Sequence, residues 1–391
     1  MNKKFLKNFF RLKFVFPFLT GLTAAIAIII GLSLQQKLKQ VATEKNSLER
    51  RFASIAAELR TIKKRDEYKI NQELQQTIKK IESTYQQAVQ VYEKLLDLKT
   101  VSKKTEKLDE LLTDLLVMLS KKNYASAEAG LNLLSKKIEE EKNKIAASFV
   151  IPQNVIQSNT PPGSGYQRQV VKTDIGEFLV DVVSADLNST RVIVDTAADS
   201  DCRNDCPVLS LADYVGRNGA FAAVNGSYFC PAAYPSCSDK KNSFDTLLMN
   251  KNKVYFNSDN NVYSTVPAVI FSGNSVRFVT QSLEWGRDTG VDAVIANQPL
   301  LVLNGNVVFG GDNEIKRAGK GSRSFVGNSG STVYIGVVHN VNAAEMARVL
   351  AAMGMENALN LDSGGSTALW YGGYKVGPGR NIPNAILLVG K

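Results

Sequence analysis

From Leu34 the apolar positions run Leu34, Leu38, Val41, Leu48, Phe52, Ile55, Leu59 and Ile62, in alternating steps of four and three with Lys45 in the one gap. That seam spans four heptads and predicts a coiled coil that pairs chains. After "KKRDEYK" the register slips and resumes at Ile70, Leu74, Ile78, Ile81, Tyr85, Val89, Tyr92 and Leu95. Residues 108–119 and, beyond "KKNYAS", 131–145 keep a helical period, and breaks this short predict helices folded back into an antiparallel bundle. "IPQNVIQSNTPPGSGYQ" then lacks charge and is rich in Pro, Gly, Ser and Asn, which predicts a linker over 149–168.

From Gln169 the pattern turns to short apolar runs with strand character. "FLVDVVSADL" and "RVIVDTA" read as strands, and "LLMNKNKVYF", "VIFSGNSVRFV", "LLVLNGNVVF" and "FVGNSGSTVYIGVV" read as hairpins with Asn or Gly at the turn. "LSLADYVGRNG" and "NVNAAEMARVLAAMG" predict two helices, the second ended by Gly354, and "NALNLDS" a short buried strand. Residues 169–391 are thus expected to form one α+β domain of hairpin-rich sheets, behind an α-helical stalk over 35–148.

Charge changes the picture at the N-terminus. "MNKKFLKNFFRLK" holds five basic residues and no acid, and residues 14–34 follow with no charge at all. Twenty-one such residues suffice to cross a ~30 Å hydrocarbon core, and the basic flank, residues 1–13, stays on the cytoplasmic side. The expectation is an uncleaved single-pass signal anchor with the remainder outside the cytoplasm. The chain's net charge of +10 lies wholly in residues 1–168, where 29 Lys and Arg face 17 Asp and Glu (+12), against 18 and 20 (−2) in 169–391. Spread along helices, that charge reads as a solvated face, and no aromatic residues alternate with it to stack on bases, which excludes nucleic-acid binding.

Cysteine use fits export. Cys202, Cys206, Cys230 and Cys237 form two local pairs, so disulfides are expected, with 202–206 and 230–237 the short-loop choices; a four-thiolate zinc site is the rival reading, for which these spacings are poor.

The chemistry concentrates near the C-terminus. "NALNLDSGGSTALW" contains Asp-Ser-Gly-Gly, the setting of the nucleophile in trypsin-like proteases, which poses Ser363 as a candidate. Such a serine needs a base, and the one histidine, His339, stands only 24 residues upstream, in the wrong place and order for that family. The Gly-x-Ser-x-Gly elbow fails too, at Ala368. Another reading starts from Asp362 at a strand end, followed by Gly364, Gly365, Ser366 and Thr367. Two glycines let the backbone turn close to a ligand, and successive amides and hydroxyls offer donors to anionic oxygen. A simple turn capped by Asp362 accounts for the same residues. "AFAAVNGSYF" repeats the design with Asn225 and Gly226, either a sugar-reading amide or a hairpin turn, and Arg323 and Arg380 lie beside glycine-rich turns as possible phosphate forks.

Taken together, "LADYVGRNGAFAAVNGSYF", "RSFVG", "AAEMARVLAAMGMENALNLDSGGSTALW" and "GRNIPNAILLVG" resemble, in order across 169–391, the phosphodiester glycosidases of the N-acetylglucosamine-1-phosphodiester α-N-acetylglucosaminidase type. That family usually has glycine where Ser363 stands. The resemblance implies cleavage of a sugar C1–O–phosphate bond, with Asp362 as the catalytic carboxylate. Arg323, Arg380 and the Gly364–Thr367 loop would hold phosphate, with Asn225 and Gly226 at the sugar. Asp181, Asp292 and Glu345 are candidates for a second carboxylate. No cofactor is implied, although carboxylates near phosphate could recruit Ca²⁺ or Mg²⁺. The competing reading is an inactive tethered domain that binds an envelope glycan.

Overall fold

The computed structural model describes residues 3–258 and 264–391, with the backbone alone described for 3–27, 66 and 315. The chain divides into two compact units, residues 1–82 and 83–391. The first holds α1 (Lys3–Lys64) and the start of α2 (Asp66–Lys99). The heptad seam lies along α1 with every apolar position exposed, Phe52 at 78%, so in this single chain the expected coiled coil is one helix with an open seam. The predicted membrane span, 14–34, falls largely outside the residues whose side chains are described. Among the described residues no helix is long and apolar enough to cross a membrane.

The second unit opens with the antiparallel bundle the pattern predicts. The end of α2 packs with α3 (Glu106–Ser120) and α4 (Tyr124–Ala147) around Val91, Leu95, Leu98, Leu112, Leu115, Leu119, Leu131, Leu134 and Ile138. These recur every three or four residues, so each helix turns one apolar stripe inward.

Three sheets follow. The largest has the order β1-β2-β3-β14-β13-β15-β11-β12 and is formed by β1 (Ile156–Gln157), β2 (Gly165–Thr173), β3 (Gly176–Asp186), β11 (Leu300–Leu303), β12 (Asn306–Val307), β13 (Gly321–Ser329), β14 (Thr332–Val341) and β15 (Asn357–Ser363). A second contains β6 (Leu248–Met249), β7 (Tyr255–Phe256), β8 (Ala268–Ser272), β9 (Ser275–Val279) and β10 (Ala293–Ala296), ordered β7-β6-β10-β8-β9. The third contains β4 (Thr190–Thr196), β5 (Ala222–Asn225), β16 (Leu369–Tyr371), β17 (Tyr374–Val376) and β18 (Asn384–Gly390), ordered β17-β16-β5-β18-β4. All four predicted hairpins form, as β6/β7, β8/β9, β11/β12 and β13/β14. The α+β class therefore holds.

The main core lies where the sheets meet, with Val183, Val194, Val224, Val269, Ile295, Ile335, Leu359, Leu361 and Ile386 fully or almost fully buried. The opposite face of the large sheet is covered by α7 (Ala343–Ala352) through Met346, Val349 and Leu350, while α5 (Leu211–Asn218) covers the third sheet through Leu211, Tyr214 and Val215. Both helices start with a capping box, Ser210 with Asp213 and Asn342 with Glu345. Gly354, at φ 77, lies two residues past the end of α7, as its sequence predicts. A one-turn helix, α6 (Ile315–Ala318), precedes β13.

The expected linker differs. Its last residues, from Gly165, are already strand, because Tyr166 and Arg168 pair across to Val183 and Asp181 of β3. The helices of the bundle belong to the same compact unit as the sheets.

Candidate active site

Two strand ends from different sheets meet. Asn225 closes β5 and Asp362 lies near the end of β15, and the Asp362 N–H donates to the Gly226 carbonyl at 2.9 Å while Asn225 Nδ2 donates to the Asp362 carbonyl at 2.7 Å. The Asn225 side chain is fully buried, and its Oδ1 accepts from Ser324 Oγ at 2.6 Å and the Ala368 N–H at 3.1 Å. It is a clamp that fixes the backbone of the aspartate, not an amide that faces a sugar. Three more asparagines act alike. Asn384 Oδ1 accepts from the Ser227 N–H at 2.9 Å, Asn297 Oδ1 from the Tyr228 N–H at 3.1 Å, and Asn360 Nδ2 donates to the Tyr228 hydroxyl at 2.6 Å. Gly226 is required by space, since a Cβ there would lie 1.8 Å from Asn384 Oδ1 and 2.8 Å from the Asn384 carbonyl.

Asp362 retains partial exposure, yet protein surrounds its carboxyl closely enough that burial pushes it up to about 6. Hydrogen bonds from the Ser366 side chain and the Ser363 N–H, then the charges of Arg380 and Lys316, pull the other way without cancelling it. The glycine loop is a tight turn: Gly364 sits at φ 66 and its carbonyl accepts from the Thr367 N–H at 3.0 Å. Arg380 lies directly over Gly365, where a Cβ would come within 2.2 Å of its Nη2, and its own N–H donates to the Gly365 carbonyl at 2.8 Å. Thr367 Oγ1 donates to the Ser322 carbonyl at 3.1 Å, so that hydroxyl holds β13 rather than a ligand.

Arg323 corrects the sequence reading. Its side chain is buried, with Nε donating to the Val341 carbonyl and Nη2 to those of Lys316, Arg317 and Gly319 at 2.7–3.1 Å. The guanidinium organises α6 and the strand behind the site, and in doing so brings Lys316 to the site. Ser363 is no nucleophile either, because its Oγ donates to the Leu361 carbonyl at 3.2 Å while the only histidine bonds elsewhere.

Sequence reasoning missed three residues. Tyr228 stands close enough to Asp362 for the carboxylate's charge to act on its phenol, which burial pushes up to about 12, so it stays protonated. Tyr234, inside the loop closed by Cys230–Cys237, is flanked by two cations, Arg380 and Lys316, each 5.4 Å from its ring centre. Its hydroxyl donates to Asp97 of α2, and the neighbouring Ser236 N–H donates to Glu93 at 2.9 Å. Lys316 is the third. The signal for Tyr228 was present in "VNGSYF", three residues past the clamp; nothing local marked Tyr234 or Lys316. Cys202–Cys206 pairs as the second disulfide.

The proposed second carboxylates lie elsewhere. Asp292 caps the Gly273 N–H at 2.7 Å and bonds Arg191, Glu345 completes the α7 capping box and bonds Lys320 at 2.9 Å, and Asp181 is buried against Tyr166, Arg168 and His339. No group of three or more His, Cys, Asp or Glu side chains is arranged to hold a metal among the described residues.

One largely buried acid of raised pKa, near two cations and a protonated phenol at the junction of two sheets, is an arrangement suited to an anionic ligand. Residues 218–389 match the family model of the phosphodiester glycosidases. Among solved structures, the chain is similar to a hypothetical protein from Synechocystis at 12% identity, covering 58% of this chain and 62% of that one with a TM-score of 0.42. It is similar also to the zebrafish N-acetylglucosamine-1-phosphodiester α-N-acetylglucosaminidase catalytic domain auto-inhibited by its pro-peptide, at 14% identity over 60% of this chain and 86% of that one, with a TM-score of 0.43. No curated protein matches the chain.

Proposed function

We propose that the protein is a membrane-anchored glycosidase that hydrolyses a sugar-1-phosphodiester outside the cytoplasm. The observation that carries this is Asp362, a carboxyl of raised pKa beside Arg380, Lys316 and Tyr228 in the stretch that matches this family. A phosphate monoester leaves more readily than a sugar hydroxyl, so little acid help is needed at the departing oxygen. The burden falls on the cationic sugar centre and on the released anion. Ionised Asp362 stabilises or attacks the anomeric carbon. Arg380 and Lys316 hold the phosphate, aided by the exposed edge of the loop at Gly364 and Gly365, and Tyr228 donates a hydrogen bond to a substrate oxygen.

The charge-free run at 14–34 with its one-sided basic flank supports the anchor, and two disulfides support an oxidising compartment. The open heptad seam on α1 fits a second copy of the chain, which makes the protein a homo-oligomer. The test is a panel of sugar-1-phosphodiesters offered to the full chain. Free sugar and phosphate monoester should appear together, and retention of every substrate intact, with binding, would leave a glycan-phosphate-binding protein instead.

A further inference from the structure

The single histidine has partners that the phosphodiester site does not use. His339 Nε2 stands 2.6 Å from Asp181 Oδ2, and its Nδ1 stands 3.1 Å from Ser322 Oγ. Serine, imidazole and aspartate are thus joined in line. We propose that Ser322, His339 and Asp181 form a second, serine-nucleophile centre that acts on O-acyl esters.

Three observations carry it. Asp181 is wholly buried, and its remaining acceptor positions are filled by Tyr166 at 2.5 Å and by Arg168 at 2.8 and 2.9 Å. Burial alone would raise its pKa, but hydrogen bonds from His339, Arg168 and Tyr166 outweigh that and hold the carboxyl below its usual range. An ionised Asp181 accepts a hydrogen bond from Nε2–H, so in the neutral ring Nδ1 is the lone-pair nitrogen, and it faces Ser322. The carboxylate thereby fixes the tautomer a base requires.

Second, the backbone is bent to make the arrangement. Between Arg323↔Val338 and Gly321↔Val341, β14 carries one residue more than β13, and Asn340 within that bulge sits at φ 56. A bulge re-aims its side chains, and here it turns His339 toward Ser322 across the ladder and toward Asp181 on the other neighbouring strand. Asn340 Nδ2 then donates to the Ala146 carbonyl at 2.9 Å, and Phe149 stacks on the imidazole at 6.3 Å, so the end of the helical bundle steadies the histidine.

Third, the nucleophile can be reached. Ser322 and His339 are partly exposed where Asp181 is not, and the Ser322 carbonyl receives Thr367 Oγ1 at the rim of the glycine loop.

In the reaction, Ser322 Oγ bonds to the acyl carbon as its proton passes to His339 Nδ1. The ester C–O bond breaks and the imidazolium returns the proton to the departing alkoxide. Water, deprotonated by His339, then releases the carboxylic acid from the acyl-serine.

The test is a fluorophosphonate probe on the full chain, in which a serine Oγ–P bond forms and fluoride leaves. Peptide mass spectrometry should place the adduct on Ser322, with labelling slowed at least about 10³-fold in His339→Gln and absent in Ser322→Ala. Ser363→Gly should label at the parent rate, and thermal melts identify any variant that has not folded. No adduct on the folded parent, an adduct at another serine, or unslowed labelling in folded His339→Gln overturns the proposal.

Discussion

At the scale of the residue, the proposed function gives Asp362, Arg380 and Arg323 separable expected roles. Asp362 carries a carboxyl at about 6, so its ionisation falls inside the working range of pH. Because the account needs it ionised, kcat/KM for a sugar-1-phosphodiester should rise as pH increases through about 6, and the profile of Asp362→Asn should lack that limb. Stability moves the other way. Between the ordinary value of 3.8 and about 6, the folded state holds a proton that the unfolded chain has lost. Raising pH through that window therefore costs the parent up to about 3 kcal/mol, a loss that Asp362→Asn should not show in denaturant titrations at pH 4 and pH 7. The arginines separate by assay. Arg380→Ala should raise KM about tenfold or more with a small change in melting temperature, since a charge-assisted contact is lost at a half-exposed position. Arg323→Ala leaves four backbone carbonyls without their donor inside the protein and should cost about 2–4 kcal/mol of stability. An Arg323→Ala protein as stable as the parent, with KM alone raised, would return Arg323 to the phosphate. Ser363→Gly should leave turnover unchanged.

Among the elements, the loop Cys230–Cys237 is the one that sequence reasoning undervalued. It presents Tyr234 between Arg380 and Lys316, while α2 bonds it from outside through Asp97 and Glu93. Opening that loop frees the ring against which both cations rest. The double variant Cys230→Ser/Cys237→Ser should lose turnover about tenfold or more while far-ultraviolet circular dichroism is unchanged; full activity would show that the loop is a bystander. The strands and helices around it were readable because their patterns are local. The hairpins announce themselves by Asn or Gly between apolar runs, and α7 by an apolar stripe ended at Gly354. Asp362 was readable for the same reason, as a carboxylate at the end of an apolar run before two glycines. Lys316 and Tyr234 were not, because their place depends on long-range contacts. Arg323 and Asn225 were misread for a related reason: a polar side chain beside a glycine turn looks the same in sequence whether it faces solvent or backbone carbonyls.

At the scale of the whole molecule, the proposed topology rests on the pattern of the N-terminal residues. Exposed seam residues on α1 and a charge-free run before them predict copies paired along a membrane-tethered stalk, and cross-linking of intact cells should trap a dimer or higher oligomer that Leu48→Glu/Ile55→Glu disrupts. Protease added to those cells should digest the C-terminal domain, and complete protection would reject the topology. The proposed hydrolysis turns on one carboxylate, Asp362. The most direct measurement is turnover of a sugar-1-phosphodiester by the full chain and by Asp362→Asn, with circular dichroism to confirm the fold. Removing a charge that stabilises the transition state costs ~3–4 kcal/mol, so the variant should be slower by at least about 10³-fold. A folded Asp362→Asn protein with the parent's turnover would contradict the assignment.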